Sequence, residues 1–179
     1  VIFPGSEVSS LVPDGPFPVM SGDVLLAAGR DIRGSVSNQL YTAWYVRSAG
    51  SSPGDGARWS VAFNLFQQGV ASFGGGNVTA TAGRDVLDLG ASAPSISTAG
   101  QVGRIDGGVV RVVAARDVIG GELLADGGGG LLRAGGGTLA TRAATRPGLF
   151  GPLFGVGRGE LTIVGRRDVG VGAVVSPTL

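Results

Sequence analysis

The sequence predicts an all-β fold, a parallel β-helix (solenoid) whose strands stack coil upon coil around a shared core. Three observations predict it. A segment of the form Gly-x-Val-x-Ala-x-Ala-x-Arg-Asp-Val recurs four times in 179 residues. Glycine accounts for 35 residues, far above its ordinary share of ~7 %, yet without the Gly-X-Y period of collagen. Within each copy apolar residues fall on alternate positions, and that is the period of a strand.

The copies begin at Gly22 (GDVLLAAGRDI), Gly76 (GNVTATAGRDV), Gly108 (GVVRVVAARDV) and Gly159 (GELTIVGRRDV). Aligned on Arg-Asp, the third position is Val24, Val78, Val110 or Leu161, and the fifth is Leu26, Ala80, Val112 or Ile163. The seventh is small: Ala28, Ala82, Ala114 or Gly165. The intervening positions mix Leu25, Thr79, Arg111 and Thr162. One face is therefore buried and the other is permissive. The small residue and the Arg-Asp pair read as a corner, after which Ile32, Val86, Val118 or Val169 returns to the core. Such strands need no covering helix if successive repeats stack and enclose one core.

The copies start at uneven intervals, so one to three coils are expected between them. Gly137 to Ala144, with Leu139 in the buried position, and Gly130 to Gly137 are the candidate degenerate copies. At about 20–25 residues per coil and about 4.8 Å per coil, the chain is expected to make about 7–9 coils, a rod on the order of 40 Å long.

In chain order, residues 1–21 carry Pro4, Pro13, Pro16 and Pro18 and read as an extended lead-in; residues 22–179 read as the coils. Residues 38–73 interrupt the repeat with Tyr41, Trp44, Tyr45, Trp59, Phe63, Phe66 and Phe73, and read as an aromatic-rich insertion folded against the rod. Its middle, Ser48 to Gly56, has the composition of a loop, and Asn64 to Val70 suits a short helix or a strand. Thr145 to Gly157 reads as a Pro/Gly loop with Phe150 and Phe154. The ending at Val174-Val175 is expected to leave a strand without a partner. The chain begins with Val1, so it is read as a piece of a longer protein.

Composition narrows the function. There is no cysteine and no histidine, so disulfides and thiolate or imidazole metal sites are excluded. All 14 basic residues are arginine, scattered along a chain of net charge +1. That argues against a nucleic-acid surface. The apolar runs are too short to span a membrane as helices. No cofactor is expected.

The AGRDI and AGRDV endings, the run RWSVAFNLFQQGVASFGGGNVTATAGRDVLDLGASAPS from Arg58 to Ser95 and the terminal VGVGAVVSPTL resemble the filamentous-haemagglutinin-type exoproteins of Gram-negative bacteria, the passengers of two-partner secretion. The resemblance covers residues 58–179, and 22–36 in the repeat only. It implies a right-handed parallel β-helix, secreted or held at the cell surface in association with the outer membrane. It implies export through an outer-membrane secretion partner. The role implied is that of an adhesin, a biofilm component or a stalk carrying a toxic tip, with no catalytic residue in the shaft. The partner then is a host-cell or bacterial surface receptor or glycan.

Four sets of residues are weighed as sites. The pairs Arg30-Asp31, Arg84-Asp85, Arg116-Asp117 and Arg167-Asp168 form either a charged ladder for a partner or cation, or structural corners. In a corner the Asp accepts backbone N–H groups and the Arg pairs with a carboxylate of the next coil. Trp44, Tyr45 and Trp59 form either a sugar-stacking platform or the packing of the insertion. Asp85 and Asp88 raise a polysaccharide-cleaving β-helix, which needs two carboxyls converging on a cleft. A calcium site at Asp126–Gly130 or Ile105–Gly108 lacks the alternating Gly/Asp ligands of repeat β-rolls. The expectation is a structural and adhesive segment without enzyme activity; the alternative is a carbohydrate-binding or carbohydrate-cleaving β-helix.

Overall fold

The computed structural model describes residues 21–35, 41–48, 58–97, 104–139 and 152–176. The protein is all-β with three parallel sheets. The first sheet holds Val24–Ala28, Val78–Ala82, Val110–Ala114, Gly130–Ala134 and Leu161–Gly165, in that spatial order. The second holds Ile32–Arg33, Val86–Leu87, Val118–Ile119 and Thr138–Leu139, and Thr138 makes a further parallel bridge to Val169. The third holds Val70–Ala71, Gly90–Ala93, Glu122–Ala125, Leu153–Val156 and Ala173–Val175. Among the described residues the chain makes five passes, each visiting the sheets in the same order.

The sequence repeat is the structural register. Val24, Val78, Val110, Gly130 and Leu161 stand opposite one another, as do Ala28, Ala82, Ala114, Ala134 and Gly165. The alternate positions point inward: Val78, Ala80, Val110, Val112 and Leu132 are each 0 % exposed, and Leu25, on the other face, is 72 % exposed. Val86, Val118, Leu123 and Phe154 fill the same core from the other two sheets. Among the described residues the outermost passes have a neighbour on one side only, and Val24, Leu26, Leu161 and Ile163 are partly buried.

Several details differ from the sequence expectation. The described residues make five passes where about 7–9 coils were expected of the whole chain; the antiparallel pair Tyr45–Ser48 with Arg58–Val61 consumes chain without adding a pass. The first three copies are adjacent in the first sheet, and one intermediate pass separates the third from the fourth. That pass begins at Gly130, one of the two candidate degenerate copies. Of the other, Gly137 to Ala144, the described residues do not join the first sheet. Thr138 lies opposite Val118 in the second sheet and is fully buried, with Leu139 beside it only partly buried. Leu153–Val156, expected to be loop, is a third-sheet strand with Phe154 in the core. Ala173–Val175 does have a partner, pairing in parallel with Leu153–Gly155.

The aromatic segment, described from Tyr41, forms an antiparallel pair, Tyr45–Ser48 with Arg58–Val61, flanked by 3-10 turns at Tyr41–Ala43 and Phe63–Leu65. It rejoins the stack at Val70–Ala71, inside the expected boundary of 73. The lead-in up to residue 20, the loop tip at 49–57 and the segment 140–151 lie outside the described residues.

Candidate functional site

The Arg-Asp pairs lie at the bend from the first sheet to the second, where a small residue lets the chain turn. Asp31 accepts Arg84 Nε at 2.8 Å and Nη2 at 2.5 Å, and the backbone N–H of Asp85 at 3.3 Å. One pass on, Asp85 accepts Arg116 Nε at 2.7 Å, Arg116 Nη2, and the N–H of Asp117 at 3.1 Å. These two rungs join the guanidinium of one pass to the carboxylate of the pass before, in the two-pronged geometry that suits arginine. The Arg84 guanidinium holds the Asp31 carboxyl well below the usual carboxylate range, and Arg116 does the same for Asp85. The carboxylates are nearly sealed from water while the guanidinium groups stay open on their outer side.

The fourth pass has Gly135-Gly136-Gly137 where the others have an Arg-Asp corner. The ladder continues across it. Arg167 of the fifth pass reaches Asp117 of the third, Nη2 to Oδ1 at 2.8 Å, and Gly137 donates its N–H to the same oxygen at 2.9 Å. Gly136 makes room: a Cβ there would collide with Asp117 Oδ1 and Arg167 Nη2. At the two ends, the side chains of Arg30 and Asp168 have no hydrogen bond or ion pair with any described residue.

The structure does not present Trp44, Tyr45 and Trp59 as an open platform. Trp44 and Tyr45 are each 3 % exposed. Trp44 meets Phe66 and Phe73 edge to face, at 5.1 and 5.6 Å between centroids, and Trp59 stacks on Tyr45 at 4.8 Å. The cluster closes over Leu124 on the outer face of the third sheet. These rings cover one another because an aromatic pair buries more area by packing than a solvent-facing ring can. Tyr41 also lies against the sheet, where Gly155 leaves space for its ring.

Asp126 fastens this insertion to the stack, a role the sequence reading did not assign. Its carboxylate accepts Tyr45 Oη–H at 3.1 Å, Ser95 N–H at 3.2 Å, Arg158 N–H at 3.0 Å and, at longer range, Arg104. Burial pushes this carboxyl up, but the N–H of Arg158, Ser95 and the Arg104 charge outweigh it and hold it low. Burial and the Asp126 charge raise the Tyr45 phenol. The signal available in the sequence is Leu123-Leu124-Ala125-Asp126-Gly127, an acidic residue directly after a fully apolar strand.

Asp85 and Asp88 do share a groove of ≈ 420 Å³, lined also by Leu87, Ile119, Arg33, Arg84 and Arg116. Asp88 sits in the left-handed region at φ 48°. Asp85 is committed to Arg116 and held ionised, whereas a general acid needs a raised carboxyl. At the two stretches weighed for calcium, Asp106 is engaged by Arg104 and Arg158, and Asp126 by the donors above. Among the described residues no cluster of three or more acidic side chains is arranged to hold a metal ion, and no helix is long and apolar enough to cross a membrane. Comparison with family models, with curated proteins and with solved structures finds no match to this chain.

Proposed function

We propose that the five passes are coils of a right-handed parallel β-helix, and that the chain is a shaft segment of a large secreted or surface-exposed bacterial exoprotein. The observation that carries this reading is the unbroken register. Equivalent residues of five passes stand opposite one another, and the corners are tied from pass to pass by Arg-Asp rungs. An arrangement in which every layer is both floor and ceiling extends by addition of layers, which suits a spacer. The shaft presents adhesive or toxic regions at a distance from the cell. Its partners are the outer-membrane secretion partner of the parent protein and a surface receptor or glycan. It is not an enzyme.

The groove holding Asp85 and Asp88 supports the second reading, a carbohydrate-binding or carbohydrate-cleaving β-helix. Depolymerase assays on acidic polysaccharides, run beside binding to cell surfaces and a glycan panel, separate the two. The shaft reading expects no turnover. Sustained turnover that disappears in Asp85→Ala or Asp88→Ala replaces it with the second.

A further inference from the structure

Among the described residues Asp88 is the only one other than glycine in the left-handed region, at φ 48°. In the passes before and after, the same place is held by Gly34 and Gly120, and Gly120 makes the same kind of turn at φ 62°. Glycine takes that backbone without steric cost, whereas any other residue is strained there. What Asp88 brings in place of glycine is a carboxylate. That carboxylate makes no hydrogen bond or ion pair with any described residue.

Asp88 lines the groove of ≈ 420 Å³, a size within the range of small-ligand sites. Three guanidinium groups line it too. Arg33 and Arg84 both pair with Asp31, and Arg116 pairs with Asp85. Three positive charges thus meet two carboxylates, and one is left over. The rungs from Arg84 and Arg116 use Nε and Nη2, so Nη1 of each lies outside its rung. Their side chains stay 36 % and 54 % exposed. Leu87 and Ile119, opposite one another in the second sheet, supply the apolar part of the lining. Apart from Arg33 and Gly34, the lining belongs to the second and third passes, which have described passes on both sides.

We infer that this groove binds an acidic saccharide whose unit is a uronic acid. The sugar carboxylate accepts the outer N–H groups of the guanidiniums, in the planar geometry that suits arginine. The sugar hydroxyls donate to Asp88, and a C–H face of the ring lies against Leu87 and Ile119. A peptide of acidic residues brings carboxylates without the hydroxyl donors, so Asp88 repels it. A neutral sugar satisfies Asp88 and leaves the surplus positive charge unmet. Asp85 is committed to Arg116, so the groove holds the sugar without cleaving it. The inference rests on the reading of the chain's partner as a glycan, and narrows that partner to an acidic one.

Isothermal titration calorimetry of the whole 179-residue chain with trigalacturonic acid tests it, beside a neutral galactose trisaccharide and triglutamate. The expected result is saturable binding of trigalacturonic acid and of neither control. Asp88→Gly installs the residue that the neighbouring passes carry, and Arg33→Gln leaves Asp31 its rung to Arg84. Both variants should therefore keep the fold, which circular dichroism establishes. Each should weaken binding by about tenfold or more, the effect of losing a hydrogen bond to a charged group. No binding of trigalacturonic acid, equal binding of either control, or full affinity in either variant would each overturn the inference. Binding to other members of a glycan panel would then keep the glycan reading, and a panel without any binding would remove that as well.

Discussion

Arg167 bonds to Asp117 across an entire pass, Nη2 to Oδ1 at 2.8 Å, over a glycine that occupies the position of the missing corner residue. The rung is kept although the motif is lost, because Gly136 leaves the guanidinium a path. Gly136→Ala should therefore cost more than loss of the rung itself. Forcing a methyl between these groups is an overpacking change of about 1–3 kcal/mol. Arg167→Ala removes a partly exposed ion pair of ~0–1 kcal/mol. Urea denaturation of the two variants should rank them in that order.

The two faces of the first sheet give a second prediction. Val110 is 0 % exposed, and Arg111, its chain neighbour, points to solvent. Val110→Asp places an unpaired charge among Val78, Val112 and Leu132 and should destabilise the protein by several kcal/mol, on the order of what an uncompensated buried polar group costs. Arg111→Ser should change stability by no more than about 0.5 kcal/mol. Equal shifts in chemical denaturation would contradict the inward and outward assignment.

Why the alternation was legible while the count of passes was not has a physical reason. A first-sheet strand of five residues is long enough to show apolar residues at alternate positions, so Val24, Val78 and Val110 announce their common column. The second and third sheets are built from strands of two to four residues, too short for a period to show. Pro147, Gly151 and Pro152 just before Leu153–Val156 signal a loop, yet pairing on both sides, with Glu122–Ala125 and with Ala173–Val175 in the third sheet, overrides that local signal. The Arg-Asp corners were legible as corners because the pair always follows a small residue. The hub at Asp126 was not, since it collects donors from Tyr45, Ser95 and Arg158, which are far apart in the chain.

That hub yields a third prediction. Tyr45 Oη donates to Ser95 O at 2.7 Å as well as to Asp126. Tyr45→Phe keeps the ring against Trp59 but removes the hydroxyl donor from Ser95 O, while Asp126 keeps Ser95 N–H, Arg158 N–H and Arg104. The expected cost is about 1–3 kcal/mol, the penalty of a buried group left unsatisfied, read as a lowered denaturation midpoint. Because the ring remains, the tryptophan fluorescence of the folded state should hardly change. A large change in that emission would mean that the hydroxyl sets the arrangement of the aromatic cluster rather than anchoring it.

The last prediction concerns pH. Glu122 Oε1 accepts the backbone N–H of Tyr41 at 2.5 Å, beneath the first turn of the insertion. Its register neighbours Gly90 and Leu153 carry no charge. Burial pushes this carboxyl up from 4.5 to about 7, and the Tyr41 N–H only partly opposes the shift. The folded state therefore holds a proton that the unfolded chain releases between those two values. The sign follows: this stabilisation is fully present below pH 4.5, fades as pH rises and is lost above about 7. A shift of this size corresponds to up to about 3 kcal/mol. Asp85 and Asp126 act the opposite way, since their folded-state carboxyls are held low, and their contribution disappears only as pH falls below the ordinary Asp value of 3.8. Stability should thus peak between these windows and decline from about pH 5 toward pH 7. Glu122→Gln keeps an acceptor for Tyr41 and has no proton to lose. It should flatten the decline and leave the protein more stable than the parent at pH 8, as measured by urea midpoints across the range. An unchanged slope in Glu122→Gln would place the titrating group elsewhere.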